Sequence, residues 1–158
     1  VNKLANFKSV DSYGVLDENK AKFAFETQKF YSMLDSLSLC QFVWGPAWQL
    51  YGPDELLNFL KYSLNWDTSI EELQEIGERR INMMRYFNAL EGFTRKEDKI
   101  PDRIFEPIPD GPYTGTKITK KDFENALDKY YEYAGWDIET GNPTEETLNR
   151  LDLEWLIY

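Results

Sequence analysis

A chain of 158 residues falls in the size range of one ordinary domain, and its 42% hydrophobic and 16% aromatic content can offset the entropy of ordering, which excludes a disordered acidic tail. The formal charge of −10, from 28 acidic and 18 basic side chains, repels phosphate backbones and anionic lipid, so nucleic acid and membrane surfaces are poor partners. Without any His the chain supplies no Ser-His-Asp or Cys-His pair and no HExxH zinc site; its single Cys makes no intramolecular disulfide, which points to a reducing, cytoplasmic setting.

No run approaches the roughly 18 apolar residues of a membrane span, and no basic-then-apolar leader opens the chain. Val1 in place of Met is expected of a processed chain or of a piece of a longer protein. Residues 1–17 carry Val10, Tyr13, Gly14 and Leu16 without a helical period and are expected to form an irregular lead-in to a single helical domain covering 1–158. Phe23, Phe25, Phe30, Met33, Leu34 and Leu37 then recur at helical spacing and predict a helix over about 18–37. After a loop with Trp44, Gly45, Pro46 and Trp48, the run Gly52-Pro53-Asp54-Glu55 opens a second helix, with Pro in its first turn and acids against its dipole. Leu56, Leu57, Phe59, Leu60 and Leu64 are its expected buried side.

Thr68-Ser69-Ile70-Glu71 has capping-box spacing and predicts a long helix to about Leu90. Ile70, Leu73, Ile76, Ile81, Met84, Phe87 and Leu90 are its apolar residues, with Gly77 placed for close approach of a neighbouring backbone. Residues 92–119 hold Gly92, Pro101, Pro107, Pro109, Gly111, Pro112 and Gly115, too many breakers for a regular element, and predict a long ordered arm. Thr119 caps a helix carrying Phe123, Leu127, Tyr130, Tyr131 and Tyr133, which Gly135 ends; Pro143-Thr144-Glu145-Glu146 starts a short last one. Five helical patterns without sustained period-two alternation predict an all-α fold. Charge is uneven along it: residues 122–158 hold ten acids and two bases and read as a solvated face, whereas 78–103 are locally basic.

An ordered series of residues carries more. It runs Asp35-Ser36-Leu37-Ser38-Leu39-Cys40, then Gly77-Glu78-Arg79, Asn82, Arg85, Asn88, Gly92, Arg95, Asp98, Pro101 and Arg103. It continues with Glu106-Pro107-Ile108-Pro109-Asp110-Gly111-Pro112 and Gly115, then Tyr130-Tyr131, Gly135-Trp136-Asp137, Gly141, Pro143-Thr144, Leu148, Leu151 and Leu153. In one collinear register over roughly 18–158 the series resembles the carboxy-terminal domain of the aldehyde:ferredoxin oxidoreductase family, the tungsten-pterin enzymes.

The resemblance implies an irregular multi-helix domain with a Pro/Gly-rich arm. In that family an amino-terminal β-rich domain and two helical domains enclose tungsten, or sometimes molybdenum, held by two pterin dithiolenes beside a 4Fe-4S cluster. Three cluster cysteines come from the middle domain and the fourth from this one, at the end of an Asp-x-x-Gly-Leu-Cys motif. Carried over, Cys40 is the cluster ligand, Asp35 accepts hydrogen bonds from a pterin, and Leu39 makes the adjacent backbone and packing contact; Ser38 replaces the Gly, which puts the turn geometry at issue. The implied reaction oxidises an aldehyde to a carboxylic acid and passes electrons through the cluster to ferredoxin, with no catalytic acid or base from this chain. Other members act on glyceraldehyde-3-phosphate, carboxylates or aromatic thioesters. The implied partners are the amino-terminal and middle domains of a parent enzyme, ferredoxin and a small aldehyde.

Without the resemblance, Cys40 between Leu39 and Gln41 reads as a small core hydrophobe, Asp35 as a polar residue near a helix end, and Glu78-Arg79 to Arg85 as a solvated face with pairs such as Glu75 to Arg79. With it, Arg79, Arg85 and Arg103 are expected to pin the arm by bidentate pairing with Asp98 or Glu106. The rival reading is a non-enzymatic all-α interaction module that keeps the fold and binds no cofactor.

Overall fold

The computed structural model describes residues 16–44 and 51–157; most of the expected lead-in and residues 45–50 of the Trp-rich loop lie outside them. Among the described residues there are six α-helices, α1 (Glu18–Ser36), α2 (Gln41–Trp44), α3 (Pro53–Leu64), α4 (Ile70–Leu90), α5 (Lys120–Ala134) and α6 (Glu145–Arg150), and no strand. None of these helices is long and apolar enough to cross a membrane. The short α2 falls where the sequence reads as loop.

Side chains at the helix starts satisfy amides that have no partner within the helix. Asp17 caps α1 by accepting from the Lys20 amide at 3.0 Å, and Thr119 and Asp122 form a reciprocal capping box on α5. On α4 the cap lies one residue later than the Thr68–Glu71 spacing predicts: Ser69 accepts from the Glu72 amide at 3.2 Å, while the Thr68 hydroxyl donates to the Glu72 carboxylate at 2.7 Å. Gly135 ends α5 with φ of 69°, the left-handed conformation that costs Gly least.

The core lies along an antiparallel pair, α1 and α4. Phe30, Met33 and Leu34 of α1 cluster with Leu56 and Leu60 of α3 and Leu73 near the start of α4. Phe25, nearer the start of α1, clusters with Ile81, further along α4, and with Tyr131, Ala134 and Trp136. Gly77 sits at the crossing: a Cβ there would lie 2.1 Å from the Lys29 carbonyl oxygen, so only the bare backbone fits. Beyond the crossing, α5 covers α1, with Phe25 and Tyr130 edge to face at 5.7 Å. A third cluster, Leu148, Leu151 and Leu153, packs the α6 end against Tyr86 of α4. The buried indole of Trp136 donates to the fully buried Asn82 amide oxygen at 2.8 Å, joining the α5–α6 turn to α4.

Two sets of expected core residues are exposed instead. Phe59 and Leu64 leave the α3 core to Leu56 and Leu60, and Met84, Phe87 and Leu90 lie open on the last turns of α4. Apolar periodicity marks a face, but a neighbouring element decides whether it is covered, and past Ile81 none of the three buried clusters includes Met84, Phe87 or Leu90.

The arm contains two short 3₁₀ turns, Arg95–Glu97 and Asp102–Phe105, and a hairpin closed by Ile108 and Thr116. Its root is fixed by Arg85, whose guanidinium donates to both Asp98 oxygens at 2.9 and 2.6 Å and to the Gly141 carbonyl at 2.7 Å. Of the three arginines expected to pin the arm, Arg85 does so. Arg79 instead bonds Glu75, Asp152 and the Leu151 carbonyl, and Arg103 makes no ion pair with Asp98 or Glu106 among the described residues. Arg95 takes the second place at the root, reaching Asp128 at 2.6 Å, Glu124 at 2.8 Å and the Ile138 carbonyl at 2.8 Å.

Candidate functional site

Asp35 occupies the last turn of α1, where a carboxylate faces the negative end of the helix dipole at a cost of about 0.3–1 kcal/mol. Helix stability therefore does not account for it. The chain then leaves the helix by a double hydrogen-bonded turn: the Ser38 amide donates to the Asp35 carbonyl at 3.1 Å and the Leu39 amide to the Leu34 carbonyl at 2.9 Å. This exit needs a left-handed residue at its corner, and Ser38 adopts φ of 56°. The Gly-to-Ser departure thus keeps the turn, with backbone strain in place of a freer glycine. Leu39 packs against the core cluster that contains Leu34, the apolar contact that accompanies such turns.

Cys40 follows at once. Its carbonyl accepts from Val43 and Trp44 to start α2, and its thiol is free and exposed rather than part of the core. The next residue, Gln41, reaches back and donates to Asp35 Oδ1 at 2.6 Å. The turn therefore brings the Asp35 carboxylate beside the residue that follows the thiol. The other carboxylate oxygen, Oδ2, lies 3.1 Å from Arg80 Nη1, which also donates to the Ser32 hydroxyl at 3.3 Å.

Asp35 and Arg80 line a cleft of about 470 Å³ between α1, α4 and α5, which Tyr31, Asn88, Tyr130 and Trp136 also line. At its other end Tyr131 donates to Asp98, and both Arg85 and Arg95 lie over its ring or beside it, at 6.0 and 5.2 Å from the centroid. Burial, then the bond to Asp98, push the Tyr131 phenol well above its ordinary ionisation range, so it serves as a neutral donor. Tyr130 is likewise raised, by burial first. The described residues contain no group of three His, Cys, Asp or Glu side chains placed to hold a metal ion, so a four-thiolate cluster would draw its other ligands from elsewhere.

Residues 4–153 match the family model described as aldehyde ferredoxin oxidoreductase, domains 2 and 3. The chain belongs to the aldehyde ferredoxin oxidoreductase family. Within it, a tungsten-containing aldehyde ferredoxin oxidoreductase of Pyrococcus abyssi is 36% identical over 150 residues, covering 94% of this chain. An aliphatic sulfonate oxidoreductase, WOR-like subunit, of Pyrococcus furiosus is 34% identical over 125 residues, covering 75% of this chain and 19% of that one. The chain spans 23% of the length of the Pyrococcus abyssi relative. Among solved structures, the active-site complex BamBC of benzoyl coenzyme A reductase with 1,5-dienoyl-CoA shares the fold, with a TM-score of 0.70 at 18% identity over 94% of this chain and 22% of its own. The all-α fold of this aldehyde ferredoxin oxidoreductase family member is thereby matched in an experimental structure.

Sequence reasoning located the turn from Asp35 to Cys40 and missed the two side chains that grip Asp35. Gln41 directly follows the motif, so its proximity was readable; Arg80 arrives from another helix and left no local signal.

Proposed function

We propose that this domain works as the carboxy-terminal part of a tungsten- or molybdenum-pterin oxidoreductase, in which Cys40 supplies one thiolate to a 4Fe-4S cluster and Asp35 accepts hydrogen bonds from a pterin. Membership of the family carries the reading, because it places the residues 35–40 turn inside the matched segment. The donor set fits. A carboxylate held from two sides and left half-exposed can accept the N–H groups of a pterin edge, and an exposed thiol becomes a ligand without unfolding a core. The Leu39 amide is committed to the turn, so its carbonyl is the backbone group on offer beside the cofactor.

When bound, the metal and cluster supply the redox chemistry, two electrons from the substrate and single-electron release to a carrier. This chain's part is to bind and orient, with no acid or base in the reaction. The substrate proposed is an aldehyde and the acceptor ferredoxin, as the names of the Pyrococcus oxidoreductases suggest.

The test uses the protein at the length its own cells make it, grown with tungstate. Cys40→Ala should lose iron while tungsten and pterin are retained in part, and Asp35→Asn should lower pterin content with iron retained. Unchanged iron in the first variant removes Cys40 from the ligand set. A native protein that ends near this domain's length and carries no iron, metal or pterin would instead establish the non-enzymatic module.

A further inference from the structure

We propose that Arg80, together with Gln41, is a positioning fork that fixes the plane of the Asp35 carboxylate so that its outward lone pairs meet the two adjacent N–H groups of a pterin edge. The inference rests on the assignment of Asp35 as a pterin contact and goes beyond it by naming what aims that group.

The geometry divides the work between the two carboxylate oxygens. Gln41 Nε2 donates to Oδ1 at 2.6 Å and Arg80 Nη1 lies 3.1 Å from Oδ2. Each carboxylate oxygen accepts two hydrogen bonds; Gln41 takes one position on Oδ1, and Arg80 holds Oδ2 by charge as an ion pair, so both oxygens keep acceptor capacity for a ligand. A carboxylate gripped through one oxygen alone still swings about its terminal torsion, which is broad and weakly restrained; gripped through both, it does not. An amino-pyrimidinone edge offers two parallel N–H donors, the pattern that a carboxylate of fixed plane receives in bidentate fashion.

Arg80 is itself held. The same Nη1 donates to the Ser32 hydroxyl, one turn before Asp35, and the Ser32 carbonyl accepts from Ser36. Arg80 lies one turn after Gly77, whose bare Cα lets α4 rest against the Lys29 and Met33 backbone of α1. The close crossing thus sets the distance that lets a side chain from α4 reach a carboxylate at the end of α1. Both partners are about 40% exposed, a setting in which an ion pair adds little to stability, so its use is orientation rather than folding.

The experiment compares Arg80→Ala, Arg80→Lys, Gln41→Ala and Asp35→Asn in the full-length, tungstate-grown protein. Pterin and tungsten per polypeptide are measured after exhaustive dialysis, and circular dichroism melting is recorded for each variant. Pterin retention should fall about tenfold in Arg80→Ala, the scale of lost outer support, less in Gln41→Ala, and return toward wild type in Arg80→Lys. Amide resonances of the Gln41 side chain in this chain should shift in Arg80→Ala with the melting temperature nearly unchanged. Loss of pterin in Asp35→Asn with full retention in both Arg80→Ala and Gln41→Ala overturns the fork and leaves Asp35 as the contact. Full retention in Asp35→Asn overturns the underlying assignment as well. Should Arg80→Ala melt early, Gln41→Ala, an exposed change, decides the matter alone.

Discussion

At the scale of single residues the turn after α1 shows how a substitution can keep a shape and lose some of its ease. Ser38 holds φ of 56° where a glycine would sit without its Cβ contact. Ser38→Gly should therefore raise stability by roughly 0.5–1 kcal/mol, seen as a higher urea midpoint at constant slope. An unchanged or lowered midpoint would mean that the serine relieves its own strain. Tyr133 offers a pH test. Its hydroxyl donates to Glu18 at 2.6 Å, and this bond first, burial second, push the phenol up to about 12. A phenol raised on folding stabilises the fold fully below its unfolded value near 10, and that contribution is lost as pH rises through about 12. Alkaline titration by tyrosinate absorbance should show late ionisation steps from Tyr130, Tyr131 and Tyr133, and Tyr133→Phe should remove one of them.

Between elements, two joints decide the arrangement. Gly77→Ala would drive a methyl to 2.1 Å from the Lys29 carbonyl, and overpacking of this kind should cost roughly 1–3 kcal/mol despite the better helix propensity of Ala. Urea denaturation measures it, and a neutral result would mean that α1 and α4 slide apart freely. Asp98→Ala would strip the buried Arg85 of its bidentate partner while leaving Gly141, an expected loss of about 2–3 kcal/mol with faster tryptic cutting at Lys96 and Lys99. Equal protease resistance in that variant would show that Arg95 alone holds the arm. Both joints fall within what the sequence discloses, Gly77 by its place in the helical pattern and Arg85 with Asp98 through the family resemblance. Helix starts and the close approach at Gly77 are local patterns, written in neighbouring letters, whereas the Asp35–Cys40 motif stands out only through the family resemblance. The pairings Arg80–Asp35, Arg95–Asp128 and Arg79–Asp152 join segments far apart, and nothing in local spacing selects one carboxylate over another. The open faces of Met84, Phe87 and Leu90 are unreadable for the same reason, since periodicity reports an apolar stripe and not its cover.

For the molecule as a whole, one exposed thiol is a quarter of what a cubane cluster requires. The purified 158-residue chain should therefore be colourless and free of iron, and stoichiometric iron with broad visible absorption would overturn that expectation. The antiparallel core also imposes an order of assembly. Gly77 and Leu73 meet the second half of α1 and Ile81 meets Phe25 once α4 exists, but α1 gains its remaining cover only with α5, whose Tyr130 and Tyr133 reach Gln28 and Glu18 across 102 and 115 residues. On a ribosome adding about 5–20 residues per second, the stretch from Leu90 to Ala134 takes roughly 2–9 s to make. During that interval the Asp35 end of the helix has its α4 partners, while Phe25 has Ile81 but still lacks Tyr131, Ala134 and Trp136, so a chaperone guarding the nascent chain would find its apolar target around Phe25.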